Sequence, residues 1–309
     1  MKVYGYSTTK PARIVGKMWS EGLKNLRKSY PEAFPLQPDF TMVPSVQAGL
    51  EKAKEPEAKI VLCQPVAPRK RLAAYMPDSP VPPEAGWAEA LNLGEEPLIR
   101  LPNLASFALP TPAGYKESFR AQEHKGKGRR IAVFLSPLRF TAEQGQQRFM
   151  SYHDFVKWEL SSYLDDHVEK HNVHLLSWAD NPDSEFDAQD IQLRIRRSYS
   201  TYLQPIERYD EVASMLSNVH QFITDDRNLA LMARGLGRRV VFLSDSYASD
   251  DPDAALLGPG YFEPYTFCAE TLRRRVVELN DWKPDAEMIE ANKMAAAALF
   301  TGTNKIFVC

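Results

Sequence analysis

Short runs of consecutive apolar residues at the start of the chain alternate with stretches in which apolar residues recur every three or four positions. The runs have the length and composition of buried parallel strands, and the periodic stretches are typical of amphipathic helices. Pro11 suits the first turn of the first helix. Three strands and two helices are therefore predicted, at residues 2–7, 11–28, 40–46, 47–54 and 59–64. Strand, helix, strand, helix, strand is the order of a doubly wound α/β domain.

The same alternation restarts at Arg130, after a middle segment that contains many of the 23 prolines and is predicted to be mostly loop. Within that segment, short strands are predicted at 72–76 and 98–101. The second half predicts strands at 130–136, 173–178, 221–224 and 239–245, and helices at 149–170, 209–216, 227–236 and 271–279. No helix or strand is predicted for residues 180–200, which are first acidic and then basic. The expected fold is therefore α/β, with two Rossmann-like domains at residues 1–130 and 131–309.

The composition is that of a globular protein, with 44% hydrophobic and 25% charged residues. Its net charge of −2 conceals an uneven distribution. Residues 1–130 carry 20 Lys+Arg and 13 Asp+Glu, net +7, whereas residues 131–309 carry 18 and 27, net −9. A basic half joined to an acidic half indicates different partners for the two halves, although chance drift of surface charge would also produce it.

Several classes of protein are disfavoured by what the sequence lacks. It contains no run of 18 apolar residues that would span a membrane and no apolar secretory core near its start. The three cysteines are scattered along the chain and lack metal-ligand spacing, so neither structural disulfides nor a zinc site is expected; they are Cys63, Cys268 and Cys309. This cysteine content is compatible with a protein of the reducing cytoplasm. A Gly-x-Ser-x-Gly elbow, a Walker phosphate loop, a His-Glu-x-x-His motif and a Gly-x-Gly-x-x-Gly motif after the first strand are all missing. A standard α/β-hydrolase, a Walker-type nucleotide triphosphatase, a His-Glu-x-x-His metalloprotease and a dinucleotide-dependent oxidoreductase are therefore poorly supported.

The strongest local pattern is a strand, a Thr-Asp-Asp turn and a helix that begins at Arg227 and Asn228. Backbone N–H groups and the helix dipole attract anions at such a helix start, and arginine grips phosphate through two donors. A different interpretation stays open, in which Asp225 or Asp226 caps the helix and Arg227 pairs with one of them. The strand that ends at Ser136 points to the same edge of the sheet. Two further arginines follow it, at Arg139 and Arg148.

A single carboxylate follows an apolar stretch in the proline-rich segment, in the sequence Tyr75-Met-Pro-Asp78. A lone carboxylate in this setting fits a general base. It fits a turn cap equally well, since aspartate often occupies turns.

Two Rossmann-like domains without a dinucleotide motif resemble the GT-B glycosyltransferases, in which the two domains face a cleft. Within that class the chain is similar to the DNA β-glucosyltransferases of tailed phages, over roughly residues 70–80 and 130–280. Ser136-Pro-Leu-Arg139 resembles the small residues and diphosphate-contacting arginine of that family. The helix start at Arg227 resembles its second such arginine, and Asp78 with the following Pro80 resembles the segment of its catalytic aspartate.

The resemblance implies an inverting transfer from a nucleotide-diphosphate sugar, with uridine as the expected base, to a hydroxyl acceptor. The C-terminal domain would bind the donor through Ser136, Arg139, Arg148, Asp226, Arg227 and Asn228. Asp78 would deprotonate the acceptor, and no obligatory metal is expected. The implied acceptor is double-stranded DNA with a hydroxymethylated pyrimidine, in the cytoplasm of a phage host. The expected phosphate contacts are Lys70, Arg71, Lys125, Lys127, Arg129 and Arg130.

Two alternatives remain at this point. A cell-envelope polysaccharide glycosyl or pyruvyl transferase would share the donor domain and would not bind DNA. A non-catalytic DNA-binding protein with a degenerate GT-B fold is the other, because the glutamate that the glucosyltransferases place three residues after the second arginine is Ala230 here. The sugar is not indicated by the sequence, and a monomer is compatible with it.

Overall fold

The computed structural model describes residues 1–7, 12–34, 37–63, 99–100, 102–108, 116–124, 128–136, 146–244, 253–263, 266–301 and 306–308. The chain divides into two compact units. The first unit comprises Met1–Ala108 and Glu290–Cys309, and the second comprises Leu109–Ile289. The division therefore falls at Leu109 rather than before Ile131, and the end of the chain returns to the first unit.

The first unit contains a five-stranded parallel sheet. Its strands are β1 (Lys2–Ser7), β2 (Asp39–Met42), β3 (Ala58–Cys63), β4 (Ile99–Arg100) and β11 (Ile306–Val308), in the order β2-β1-β3-β11-β4. Every neighbouring pair is parallel. Backbone hydrogen bonds of β11 to both β3 and β4 explain why the chain's end belongs to this unit.

Among the described residues of this unit, three α-helices accompany the sheet: α1 (Ala12–Ser29), α2 (Val46–Ala53) and α10 (Ala286–Thr301), which crosses the division between the units. The apolar positions that predicted α1 are buried in the structure. Trp19 is fully buried among them and packs edge-on against Phe40 of β2, with ring centroids 6.0 Å apart. The apolar stripe of α1 thus forms one side of the core of this unit.

The second unit contains a six-stranded sheet, again with only parallel neighbours. Its strands are β5 (Arg129–Phe134), β6 (His171–Trp178), β7 (Thr201–Ile206), β8 (Gln221–Thr224), β9 (Arg239–Leu243) and β10 (Tyr261–Phe262). The order β10-β9-β8-β5-β6-β7 places the first and fourth of these strands at the centre. Counted within the unit this is 3-2-1-4-5-6, the order of the Rossmann fold.

Seven helices belong to the described part of the second unit. They are α3 (Glu117–Arg120), α4 (Gln146–Asp165), α5 (Pro182–Arg194), α6 (Tyr209–Asn218), α7 (Arg227–Gly235), α8 (Ala254–Leu257) and α9 (Ala269–Asp281). Ile131 and Val133 of β5 pack with Leu160 and Leu164 of α4 in one buried apolar cluster, together with Ile223 of β8. The core therefore lies between the central strands and the long helix.

Several predicted elements are confirmed and others differ. The strand at 221–224 and the helix from Arg227 occur as predicted, and Gly237 after that helix has a φ of 73°. The predicted helix to residue 170 ends at Asp165, because β6 already begins at His171. In the unassigned segment 180–200, Asn181 caps α5 by accepting hydrogen bonds from the N–H groups of Asp183 and Ser184 at 3.0 and 3.3 Å. Among the described residues, no helix is long and apolar enough to cross a membrane.

Candidate nucleotide site at the centre of the second sheet

The centre of the second sheet is a topological switch point. From β5 the chain moves outward through β6 and β7, and it then continues on the other side of β5 through β8, β9 and β10. β5 and β8 are neighbours, with Phe134 in register with Thr224. Connections that leave in opposite directions open a crevice at the carboxyl ends of such strands, and ligands of α/β proteins bind there.

A hydrogen bond joins the two sides of this crevice. The backbone N–H of Ser136, which follows β5, donates to Oδ1 of Asp225, which follows β8, over 2.7 Å. The side chain of Asp225 therefore ties the two central strand ends together, in addition to the backbone pairing of the strands. This bond brings the predicted Ser136 and the turn before α7 into contact.

The start of α7 is capped by Asp226. Its Oδ1 accepts a hydrogen bond from the N–H of Leu229 at 3.0 Å, and its own N–H donates to Oγ1 of Thr224 at 3.0 Å. Asp226 and Asn228 are both buried. The capping role that the sequence left open for Asp226 is therefore present, and a negative charge already compensates this end of the helix dipole.

Arg227 lies at the first position of α7 and forms an ion pair with Asp253, the residue before α8. Its NH1 donates to Oδ2 of Asp253 at 2.9 Å, and the two side chains are 15% and 6% exposed. The guanidinium carbon also lies 5.8 Å from the ring centroid of Phe242 in β9. The ion pair that the described residues show for Arg227 is thus with Asp253, and not with Asp225 or Asp226, the two candidates from the sequence.

Sequence reasoning missed Asp253. Its signal was weak because four aspartates, at 245, 250, 251 and 253, follow β9 within a few residues, and no spacing distinguishes one of them. In the structure, the three carboxylates of Asp225, Asp226 and Asp253 surround the start of α7, where Arg227 is the basic residue. Among the described residues, no group of three or more His, Cys, Asp or Glu side chains could hold a metal ion.

The other predicted site residues are distributed differently. Asp78, Arg139, Lys70, Arg71, Lys125 and Lys127 lie outside the described residues. Arg148 belongs to the first turn of α4, and the position of its side chain is outside the description. Arg129 and Arg130 open β5, so they lie at the amino edge of the sheet. A strand of this length separates them from the crevice by roughly 17 Å.

Arg130 takes part in a buried network at that amino edge. Its Nε and NH2 donate to Oε1 and Oε2 of Glu123 at 2.6 and 3.0 Å. Nε2 of the fully buried His174 lies 2.9 Å from Oε1 of the same carboxylate. The guanidinium of Arg130 is therefore paired with Glu123, whereas the side chain of Arg129 is exposed.

A second cluster of buried charges connects α4 with α5. Nζ of Lys157 lies 3.2 Å from Asp187, 2.7 Å from Asp190 and 3.3 Å from Asp154, and Nε2 of His153 lies 3.1 Å from Asp187. Burial alone would lower the pKa of Lys157, but the hydrogen bonds and charges of Asp190 and Asp187 outweigh it and raise the pKa above its ordinary value. The lysine therefore stays charged and holds the two helices together.

Comparisons with known proteins were informative only at the level of structure. No protein family and no curated protein sequence matches the chain. The UDP-GlcNAc 2-epimerase of Neisseria meningitidis, solved with UDP-GlcNAc bound, is similar with 13% identity and a TM-score of 0.50, over 98% of this chain and 100% of that one. The UDP-GlcNAc 2-epimerase of Methanocaldococcus jannaschii has 12% identity, a TM-score of 0.50 and the same coverage. The ADP-heptose lipopolysaccharide heptosyltransferase II of Escherichia coli has 13% identity and a TM-score of 0.45, over 96% and 99% of the two chains.

At these identities the likeness concerns the fold. The similarity to the two epimerases extends over nearly the whole chain, and each described sheet is parallel with helices between its strands. The predicted fold class, α/β with two Rossmann-like domains as in the GT-B enzymes, is therefore confirmed.

Proposed function

We propose that the protein is an enzyme that binds a nucleotide-diphosphate sugar, with the diphosphate at the switch point of the second unit. The observation that carries this proposal is the Rossmann strand order with Arg227 at the start of α7, beside the end of β5. The likeness to an epimerase solved with UDP-GlcNAc supports a uridine nucleotide as the first ligand to test.

The proposed chemistry is transfer of the sugar to a hydroxyl group. As the bond between the sugar and the diphosphate breaks, negative charge accumulates on the leaving phosphate. Arg227 and the first N–H groups of α7 would stabilise that charge, with Arg139 and Arg148 approaching from the connection after β5. To reach Arg227, the phosphate must replace Asp253 as the partner of the guanidinium. No metal is required by this scheme.

The acceptor in the proposal is a hydroxymethylated pyrimidine in double-stranded DNA. Asp78 would remove the proton of the acceptor hydroxyl, and attack from the face opposite the diphosphate would invert the sugar carbon. The resemblance of Tyr75-Met-Pro-Asp78 to the glucosyltransferase segment supports this assignment. The target base must leave the duplex to react, which costs a few kcal/mol of unstacking.

Donor binding is tested by isothermal titration of the whole protein with UDP, UDP-GlcNAc and ADP. We expect binding of a uridine ligand, and a loss of at least tenfold in the Arg227→Ala/Asp253→Asn variant. The double change avoids leaving the buried Asp253 without its partner. Arg208→Gln is the matched control, because it removes one exposed arginine from the same edge of the sheet. Absence of heat in the wild type, or equal affinity in the double variant and the control, would overturn the donor site.

Transfer is tested by mass spectrometry after incubation with UDP-glucose or UDP-GlcNAc and three substrates: hydroxymethylcytosine duplex DNA, unmodified duplex, and no acceptor. A mass gain of one hexose or one N-acetylhexosamine on the modified duplex alone is expected, with loss of that gain in Asp78→Asn. Conversion of UDP-GlcNAc to an isomer without acceptor would indicate epimerisation and overturn transfer. DNA binding with no consumption of nucleotide sugar would favour the non-catalytic alternative.

A further inference from the structure

Arginine and histidine residues lie at the starts of four neighbouring strands, at the amino edge of the second sheet. Arg239 begins β9, His220 precedes β8, Arg129 begins β5 and His171 begins β6. Backbone bonds connect this row: the N–H of Arg239 donates to the carbonyl of His220 at 3.3 Å, and the N–H of His220 donates to that of Arg130 at 2.9 Å. Arg129 is in register with His171. We call Arg129, His171, His220, Arg238 and Arg239 the basic edge.

The positive charge of the basic edge is not neutralised from within the described structure. No hydrogen bond or ion pair involving the side chain of Arg129 or Arg239 occurs among the described residues. Arg238 donates from Nε and NH1 to the carbonyl oxygens of Leu236 and Val219, at 3.1 and 3.2 Å, and so keeps its full charge. Arg129, Arg238 and Arg239 therefore give this edge three positive charges, on a unit that is acidic overall. His220 adds no charge, because its Nδ1 accepts a hydrogen bond from the backbone N–H of Arg130 at 3.3 Å.

Three carboxylates in the segments that lead into β5 and β6 are paired with other residues. Glu123 is bound by Arg130 and His174, and Asp166, directly after α4, pairs with Arg273 of α9 at 2.6 Å. Glu169 pairs with Arg197.

The electrostatic effect is visible at His220, whose neighbourhood contains four arginines. Burial lowers its pKa first, followed by the charges of Arg129, Arg130, Arg238 and Arg239. No carboxylate is among the main influences on this imidazole. The potential around it is therefore positive, which favours an external anion.

We propose that the basic edge binds the phosphodiester backbone of a nucleic acid. Neighbouring strands lie about 4.8 Å apart, so the four strand starts form a row of about 14 Å. Duplex DNA offers one negative charge for about every 1.7 Å of its axis, and arginine binds phosphate through two parallel hydrogen bonds. The arginines of this row therefore match a line of phosphates.

An anionic membrane fits the same surface less well. Peripheral membrane surfaces combine basic residues with large apolar side chains that enter the lipid. The exposed large apolar side chains in the described part of the second unit lie on other elements, at Phe155, Trp158, Phe186, Leu193, Tyr199 and Val277. None of the five members of the basic edge is apolar.

The position of this surface separates it from sugar transfer. The basic edge and the proposed diphosphate crevice lie at opposite ends of the same strands, roughly 17 Å apart along β5. A nucleic acid on the basic edge therefore leaves the crevice accessible. The surface is proposed as a second, tethering contact, which does not depend on the proposed nucleotide-sugar chemistry.

The experiment measures binding of the whole protein to a fluorescent 30-base-pair unmodified duplex by anisotropy, between 25 and 200 mM NaCl at pH 7. We expect wild-type binding that weakens steeply with salt. Arg129→Gln and Arg239→Gln should each weaken binding at least threefold and reduce the salt slope by about 0.9, the value for one phosphate contact. Arg239→Lys should keep the slope, because it keeps the charge. Arg208→Gln, at the opposite edge, is the charge-matched control and should behave as wild type.

Three results would overturn the proposal: no duplex binding at 25 mM NaCl, equal slopes for the two edge variants and Arg208→Gln, or binding to vesicles with 30% phosphatidylserine in place of DNA. Retained UDP binding in the edge variants distinguishes this surface from the crevice. Failure of the nucleotide-sugar proposal would appear as absent UDP binding, with the DNA results unchanged. Circular dichroism of each variant verifies that the fold persists.

Discussion

The ion pair between Arg227 and Asp253 gives the most direct test of the candidate crevice. Its N–O distance of 2.9 Å corresponds to a gross attraction of about 5–6 kcal/mol at an effective dielectric constant of about 20. The loss of hydration of the two charged groups offsets most of this attraction. Removal of one partner from a buried pair costs about 3–5 kcal/mol, because the other charge stays buried.

The exposures of the two side chains predict an asymmetry. Arg227 is 15% exposed and can regain some water when Asp253 is changed, whereas Asp253 is only 6% exposed. We therefore expect Arg227→Met to lower the free energy of unfolding by about 3–4 kcal/mol, and Asp253→Asn by about 1–2 kcal/mol. The double variant removes both charges and should lie within about 1 kcal/mol of the wild type.

The assay is urea unfolding of the four proteins, combined with native-state hydrogen exchange of the β8 amides. Exchange is needed because the two units need not unfold in one transition. If the effect of the double variant equals the sum of the single effects, the two side chains are not coupled and the reasoning fails. The reasoning also fails if Arg227→Met lowers the free energy of unfolding by no more than Asp253→Asn does.

The pair also makes a prediction about ligand binding under the proposed function. Asp253 and the diphosphate would compete for one guanidinium, so Asp253→Asn should bind UDP about tenfold more tightly, or about 1.4 kcal/mol, while it lowers stability. Isothermal titration measures this. Weaker binding in Asp253→Asn would mean that the carboxylate orients Arg227 for the ligand and does not compete with it.

Three further changes test other parts of the second unit. Asp226→Ala should lower the free energy of unfolding by about 1 kcal/mol, because the N–H of Leu229 loses its cap, and Asp226→Asn should lose less; urea unfolding compares them. Burial and nearby arginine charges lower the pKa of His220 in the folded protein, so the unfolded state takes up more protons as the pH falls through the ordinary histidine value of about 6.5; thermal stability should therefore fall from pH 7 to pH 5, and less so in His220→Gln. Gly260→Ala should destabilise by several kcal/mol in the same unfolding assay, since its Cβ would lie 1.9 Å from the carbonyl oxygen of Val240; an unchanged midpoint would contradict that packing.

An apolar run made two of the sheet strands predictable to within two residues. β3 and β5 contain such runs, at 60–63 and 131–134, and each lies inside its sheet with neighbours on both sides. β7 was missed because its sequence, Thr-Tyr-Leu-Gln-Pro-Ile, contains Pro205 and the polar residues Thr201 and Gln204. Proline is tolerated there because β7 is the edge strand of its sheet.

The return of the chain to the first unit could not be predicted from local pattern. β11 has only three residues, too few for a period, and its partners in β3 and β4 are more than 200 positions away in the sequence. At the candidate site, the position of Arg227 followed from the strand–turn–helix order, whereas its partner Asp253 depends on how a loop folds back. Contacts of this kind are set by tertiary structure, which short-range signals do not contain.

The division of the chain also changes the meaning of its uneven charge. Residues 1–108 and 290–309 together carry 16 Lys+Arg and 12 Asp+Glu, net +4, and residues 109–289 carry 22 and 28, net −6. The contrast is smaller than +7 and −9 because the basic stretch before β5 belongs to the second unit. Part of the charge asymmetry therefore lies within that unit, whose basic edge and the carboxylates around Arg227 are at opposite ends of the sheet.

This polarity predicts opposite salt dependences for the two proposed ligands. Salt weakens DNA binding at the basic edge, because bound phosphates release counterions. UDP in the crevice would instead meet Asp225, Asp226 and Asp253 in an acidic unit, and salt screens that repulsion. Between 25 and 200 mM NaCl, UDP affinity should therefore stay within about twofold or rise, while DNA affinity falls by at least tenfold. A parallel decline of both affinities would mean that the two ligands share one basic surface, which would contradict the separation of the crevice from the basic edge.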